Sequence, residues 1–502
     1  MAQVCWNGAF FEVALGIKLS QVMGLHPSLE LPCAEQGRCG KCRVVASGAL
    51  SPLSGAEQTH LSAAEQAAGV RLACQCTVQG DCTVQTSKRA KSQVRVSGVM
   101  PQFALVPLFA QYGIAVDIGT TTLAAQLYDA SGNLLAQASG QNPQVAFGAD
   151  VISRIEGALS GKGKALADAI RGGVSALITQ LCQDAQISPL AVEQLVVTGN
   201  TAMLYLLTEK NPEALSHAPF AADCLFGIEC SAKELDFPCQ AARVYLPPCM
   251  SAFVGADITT ALLASELCTR EETALLADIG TNGEMALWHK GRLYCCSTAA
   301  GPAFEGAGLS MGMGGKDGAI DKVTPRAMGG YDIHVLGEVA PQGICGSGVI
   351  DALAAFLAQE EMDETGLLED DFVLLGDAVQ VSQADVRMVQ LAKSAICAGM
   401  LTLVAGTDNL SAEQVSQLFL AGGFGSYIDL DNAATIGLIP PEYLDKTQVI
   451  GNAALSGAVM LLLNHHFYNM ANTIAQDAIT IDLSTNPRFS EAYMMGMMFG
   501  EE

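Results

Sequence analysis

One short string occurs twice in this chain, and the repeat constrains the fold more than any other feature. Asp117-Ile118-Gly119-Thr120 and Asp278-Ile279-Gly280-Thr281 stand 161 residues apart. Each follows an apolar run, Ile114–Val116 or Leu275–Ala277, and each is followed by further strand-like residues. Both therefore read as strand, tight turn, strand. One copy alone would be an ordinary β-hairpin. Two copies, separated by the length of one lobe, point to an internal duplication.

The turns carry the chemistry of phosphate binding. Gly119 and Gly280 let backbone N–H groups face an anion. Thr120, Thr121, Thr122 and Thr281 offer hydroxyl donors, and Asn282 and Gly283 continue the second turn. Asp117 and Asp278 sit at strand ends, where a carboxylate can hold the water shell of Mg2+. Neither turn contains Lys or Arg. A third segment, Leu418-Phe-Leu-Ala-Gly422-Gly423-Phe424-Gly425, follows a short apolar strand and can pass bare backbone beneath a flat adenine or ribose. Further glycine-rich pieces, at 197–201, 300–306 and 343–348, read as tight turns or as loops lining a cleft. Asp150, Glu284 and Glu305 are available as general bases.

A second signal lies near the N-terminus. Cys33, Cys39 and Cys42 are spaced C-x5-C-x2-C, and Arg71-Leu-Ala-Cys74-Gln adds a distant fourth cysteine. Three thiolates on one loop plus one remote thiolate is how a 2Fe–2S cluster is held. Gly37 and Gly40 allow amides to approach the sulfurs, and Arg38 and Lys41 offset the charge of four thiolates. A zinc site would need a matching second C-x2-4-C pair, which is missing; Cys74 and Cys76 stand as C-x-C. Cys76 is the rival to Cys74.

Composition narrows the function classes. The net charge of −25 argues against nucleic acid as a partner. The acidity is uneven: residues 1–95 carry nine Lys/Arg against six Asp/Glu. Met1–Val13 has no basic stretch leading into an apolar one, and Val99–Val116 is interrupted by Pro101, Pro107 and Gly113. A cytoplasmic protein is expected. Its 17 cysteines are an odd number and should be free thiols or metal ligands.

The cysteine loop with its Arg-Leu-Ala-Cys-Gln segment resembles the adrenodoxin-like 2Fe–2S ferredoxins. That resemblance implies a β-grasp domain over residues 1–90, with Cys33, Cys39, Cys42 and Cys74 as metal ligands. The two Asp-Ile-Gly-Thr turns and the Gly422 segment, in this order, resemble the superfamily of acetate kinase, sugar kinases, heat-shock chaperones and actin. It implies an α/β body of two ribonuclease-H-like lobes with ATP between them. The body spans 110–502, with lobes at about 110–265 and 270–465 and an extension at 466–502. Residues 91–109 read as a linker, or as a final strand at Gln93–Ser97 docked on the body.

Longer strings sharpen the resemblance. They are Asn142-Pro-Gln with Phe147-Gly-Ala-Asp150-Val-Ile-Ser-Arg154, the Asp278–Glu284 run, Ala300–Gly306 and Gly343–Gly348. Together they look like the reductive activators of corrinoid proteins. This family implies ATP-dependent delivery of one electron through a 2Fe–2S cluster, returning inactive Co(II) to Co(I). It implies a corrinoid protein of a methyltransferase system as partner and a low-potential electron donor; a homodimer is possible. The implied catalytic residues are Asp117, Asp278 and Glu284. The implied nucleotide contacts are Gly119, Thr120, Thr121, Thr122, Gly280, Thr281, Asn282, Gly283, Gly422, Gly423 and Gly425. The loop Leu309–Gly315 is expected to face the partner, with Ser310 either a cobalt ligand or a plain loop residue. The rival readings are a metabolite kinase with a fused redox domain, a nucleotide-binding redox sensor, and an activator of radical dehydratases.

Overall fold

The structure, a computed structural model, describes residues 1–22, 35–38, 40–86, 98–423 and 428–500. Cys33, Cys39, Gly425 and the segment Gln93–Ser97 lie outside the described residues.

The N-terminal sheet has five strands in the order Ala9–Val13, Ala2–Trp6, Val78–Gln85, Arg43–Leu50, Val70–Leu72. Ala2–Trp6 runs parallel to Val78–Gln85, and the other pairs are antiparallel. Alternation sets the faces: Ala2, Val4 and Trp6 are buried, while Gln3 is exposed. Among the described residues of this domain are two short helices, Gly55–His60 and Ala63–Ala67, each begun by a capping box, Ser54/Glu57 or Ser62/Glu65. Glu57 does more than cap. Its fully buried carboxylate takes the guanidinium of Arg71 at 2.8 Å and the N–H of Leu72 at 3.1 Å, fixing the strand that leads into Cys74.

The body repeats one plan. In the first six-stranded sheet, Tyr112–Ile118 pairs antiparallel with Thr122–Asp129 and parallel with Val192–Gly199. In the second, Ala274–Ile279 pairs antiparallel with Gly283–His289 and parallel with Gln417–Ala421. The duplication read from the two turns thus extends to sheet order. Both central strands are buried on both faces, as their continuous apolar runs require. Leu275, Ala277 and Ile279 enter the core of the second lobe, whereas Ala274 and Leu276 face a core shared between lobes. Helices Ala256–Ser265 and Ala453–Leu463, buried all round, pack against each other in that shared core.

Residues 98–109 were read as part of a linker. They are held along the body: Val99 donates to Ile450 O at 2.9 Å, Val106 to Leu463 O at 2.8 Å, and Phe109 is buried. Likewise the C-terminal extension belongs to the second lobe. Ile479–Thr480 adds a strand beside Arg292–Thr298, Pro487–Met495 packs on helix Gln383–Gly406, and Phe499 is buried beneath Lys393. The end of the extension docks by backbone, through Gln390 to Met497 O and Lys393 to Met498 O, while the side chains of Met494 and Met495 stay exposed. Helix Gln383–Gly406 is, among the described residues, the one long and apolar enough to cross a membrane, and 78% of its apolar window is buried inside the protein.

Candidate functional site

The cysteine loop brings two thiols together. Cys42 and Cys74 are each about 1% exposed, with their sulfurs 3.3 Å apart and not bonded as a disulfide. Two thiolates on one tetrahedral ion, with bonds near 2.3 Å, would lie about 3.8 Å apart. The pair therefore fits a shared metal centre after a small outward shift. Gly37 has φ +72°, and its N–H points at the Cys74 sulfur, as does the Gln75 amide at 3.5 Å. The hydrogen bond from Cys42, partly opposed by burial, brings the Cys74 thiol down to about 6. Cys76 differs. Its thiol packs against Arg71 and Ser51, and burial pushes it up to about 11.

A cleft of about 610 Å3 opens between the two lobes. Asp117, Gly119, Thr120, Thr121 and Thr122 line it from one side, and Asp278, Gly280, Thr281, Asn282 and Glu284 from the other. Gly422 and Gly423 also line it; Gly422 has no room for a side chain, since a Cβ there would meet Ile279 O at 2.4 Å and Asp278 Oδ1 at 2.9 Å. Gly283 does not face the cleft. It sits in the strand beneath, where Ile396, Thr298 and Met285 crowd its Cβ position at 3.1–3.2 Å.

The turns are closed alike. Gly119 N–H donates to Thr122 O at 2.9 Å, and Gly280 N–H to Asn282 O at 3.0 Å. The strand after each hairpin then supports the turn, through Asn142 N–H to Thr121 O at 2.7 Å and Gly301 N–H to Thr281 O at 2.9 Å. Across the cleft the hydroxyls of Thr121 and Thr281 are 3.3 Å apart. The carboxylate of Glu305 takes both.

Four further side chains hold this geometry: Asn142, Arg154 and Asn200, which lie in strings quoted from the sequence but without a role assigned to them individually, and Asn452, which sequence does not single out. Arg154 is wholly buried beneath the first turn and donates to Thr120 O at 2.6 Å and Gly148 O at 3.0 Å. Burial lowers its guanidinium to about 10, which leaves it charged. Asn142 donates to Gly119 O at 2.8 Å, Asn200 to Thr120 Oγ1 at 3.2 Å, and Asn452 to Asp117 Oδ2 at 2.9 Å. The quoted Asn142 and Arg154 strings were the available signal. For Asn452, from the far end of the chain, there was none.

The floor of the cleft is acidic: Asp117, Asp257 and Asp278 are partly buried, and Glu284 is buried. Burial, partly offset by the Asn452 hydrogen bond, pushes Asp117 up to about 6. Burial together with repulsion from Asp117 and Glu305 takes Asp278 to about 7. Asp257, at the start of helix Ala256–Ser265, is raised to about 8 by burial and by Asp278 and Asp117. Glu284 is raised well above its ordinary value by burial and by Asp257, Asp278 and Asp117, and its buried Oε1 has no hydrogen-bond partner among the described residues. Among the described residues these carboxylates do not converge as a ready-made metal site; a positive charge brought with a ligand would relieve their mutual repulsion. Lysines reach the cleft at its rim: Lys316, and Lys41 from the cysteine loop.

Lys41 joins the two halves. Its ammonium donates to Ser310 O at 3.3 Å and to Gly312 O at 3.2 Å, on the glycine-rich loop that also lines the cleft. That loop is fixed from behind by Asp385, which caps helix Gln383–Gly406 and takes the N–H of Ser310 at 2.6 Å and its hydroxyl at 2.5 Å.

Fold and site define a class: a ferredoxin-like domain joined to a two-lobed nucleotide-cleft domain of the actin and sugar-kinase type. Comparison with known proteins carries this further. Residues 6–79 match the 2Fe-2S iron-sulfur cluster binding domain, residues 112–270 the RACo middle region, and residues 272–502 the C-terminal domain of RACo, the ASKHA domain. The corrinoid activation enzyme RamQ of Eubacterium limosum is 39% identical over 78% of this chain and 70% of its own. The methylated amine-specific Co(II) corrinoid protein reductase of Methanosarcina barkeri is 27% identical, covering 77% of each chain. A solved structure of a reductive activator for corrinoid, iron-sulfur protein superposes with a TM-score of 0.74 at 27% identity, over 99% of this chain and 98% of that one. The chain belongs to the RACo family, the reductive activators of corrinoid proteins.

Proposed function

We propose that this chain performs ATP-dependent reductive activation of a corrinoid protein, delivering one electron that returns Co(II) to Co(I). A 2Fe–2S cluster held by Cys33, Cys39, Cys42 and Cys74 supplies the one-electron chemistry. The buried pair Cys42 and Cys74, with the Gly37 amide on sulfur, supports this ligand set over one using Cys76. ATP occupies the interlobe cleft. Gly119–Thr122 and Gly280–Asn282 receive its phosphates through N–H and O–H donors, and Gly422 and Gly423 pass beneath the nucleoside. Asp117 and Asp278 would hold the water shell of a Mg2+ ion brought with the nucleotide, whose charge would relieve the repulsion among the cleft carboxylates. The electron enters from a low-potential donor, and the protein works in the cytoplasm.

The reason for ATP is energetic. An electron moved uphill loses a factor of ten in equilibrium for each ~59 mV. Nucleotide binding must therefore favour a conformation of the complex in which that slope is smaller. The observation that carries this reading is the Lys41 contact, because it ties the cysteine loop to a loop lining the nucleotide cleft. A nucleotide-driven shift of the Ser310–Gly312 backbone would be felt by Lys41 and by Cys42 beside it.

ATP turnover by the purified chain tests the assignment. A Co(II) corrinoid protein should accelerate phosphate release. Transfer of phosphate to a sugar or short acid, with no response to the corrinoid protein, would make the chain a metabolite kinase instead.

A further inference from the structure

Glu305 takes up donors of the kind a phosphate would use. Its carboxylate accepts the hydroxyl of Thr121 from the first turn. From the second turn it accepts the Thr281 hydroxyl at 2.8 Å and the Thr281 N–H at 3.1 Å. It also packs over Gly280, 3.5 Å from where a Cβ would stand. One negatively charged group thus draws both lobes' turns together. An anionic phosphate oxygen asks for the same hydrogen-bond donors in the same concave backbone. Those donors cannot serve a carboxylate and a phosphate at once.

We propose that Glu305 is a resident phosphate surrogate, holding the two turns together in the nucleotide-free chain and yielding its position to the terminal phosphate of a nucleoside triphosphate. The inference rests on the nucleotide reading given above and adds a residue to it.

Exchange asks only the Glu305 side chain to move, since Ala303 and Phe304 beside it are buried. Pro302–Glu305 is a single 3-10 turn between Gly301 and Gly306, both in the left-handed region at φ +81° and +72°. The side chain is half-buried, whereas the cleft carboxylate Glu284 is only 7% exposed. Electrostatics favour departure once nucleotide arrives, because the Glu305 charge repels Asp278 and would repel a phosphate more strongly. The charge of buried Arg154 acts on Glu305 and would act equally on a phosphate in its place.

A surrogate that occupies the site in most molecules lowers apparent affinity by the fraction of molecules that are competent to bind. It does so selectively: a triphosphate must displace it, while a diphosphate that stops short of the position need not. Calorimetric titration of the full chain with Mg-ATP and Mg-ADP, in wild type, Glu305→Ala and Glu305→Gln, tests this. Glu305→Ala should bind ATP about fivefold or more tightly and change ADP affinity less than about twofold, as expected when a competitor is removed from one subsite. Glu305→Gln should shift the ATP/ADP ratio in the same direction but less, and it carries the test should the alanine variant not fold. A ratio that stays unchanged, or that falls, overturns the inference and assigns Glu305 to scaffolding or to water positioning. If wild type binds neither nucleotide, the nucleotide reading itself fails. If wild type binds and only the variants' ratio is unmoved, the surrogate alone fails.

Discussion

The ammonium of Lys41 lies 3.3 Å from the carbonyl of Ser310 and 3.2 Å from that of Gly312, bridging nearly 270 residues of sequence. One side chain therefore connects the neighbour of Cys42 to the rim of the nucleotide cleft. Hydrogen bonds from a charged donor contribute about 1.5–3 kcal/mol. Lys41→Glu replaces two attractions by repulsion, so the ATP-stimulated rate of corrinoid reduction should fall about tenfold or more, that energy being lost from coupling. Visible absorbance should still report an assembled cluster, because Lys41 is not a ligand, although a carboxylate beside the thiolates should lower its potential. Stopped-flow reduction with parallel absorbance spectra measures both.

The competition between Cys74 and Cys76 has a direct test. Cys42→Ala and Cys74→Ala should lose the 2Fe–2S absorbance and the EPR signal of the reduced protein. Cys76→Ala should keep them, since that thiol is turned to Arg71 and Ser51. Loss in all three variants would reopen the ligand set.

Asp278→Ala separates the two halves. It removes a carboxylate from the cleft floor, far in function from the thiols. EPR should find an intact cluster, and ATP should no longer change the reduction rate. A cluster lost with Asp278 would contradict the modular account.

The cleft also predicts a pH dependence of stability. Asp117, Asp278 and Asp257 titrate near 6, 7 and 8 in the folded chain, against an ordinary value of 3.8. The folded state holds protons that the unfolded state has released. Stability from these groups is thus fully present below about pH 4 and is lost as pH rises through 6 to 8. Melting curves in EDTA should fall across that window. The fall should be shallower in Asp257→Asn, and shallower in wild type with Mg-ATP, which supplies the missing positive charge.

Much of this was legible in the sequence wherever the chemistry was local. The Asp-Ile-Gly-Thr hairpins carry their turn, donors and carboxylate within a few residues, and the cysteine spacing is a property of one loop. What sequence did not reveal depends on chain closure. Arg154 feels the charges of Asp150 and Glu305, but its role under the first turn comes from its hydrogen bond to Thr120 O, 34 residues away. Asp257 joins the cleft only because helix Ala256–Ser265 crosses between the lobes. Gly283 shared the phosphate-loop string, yet strand pairing with Thr298 turns it into the sheet. The segment 98–109 lacked any periodic pattern because two prolines interrupt it, and its order comes from the body it lies on.

The most direct measurement is the anaerobic reduction of a Co(II) corrinoid protein by this chain with a low-potential one-electron donor, followed by the rise of Co(I) absorbance with and without Mg-ATP. The account predicts formation of Co(I) with nucleotide and negligible formation without it. Equal rates in the two cuvettes would contradict it.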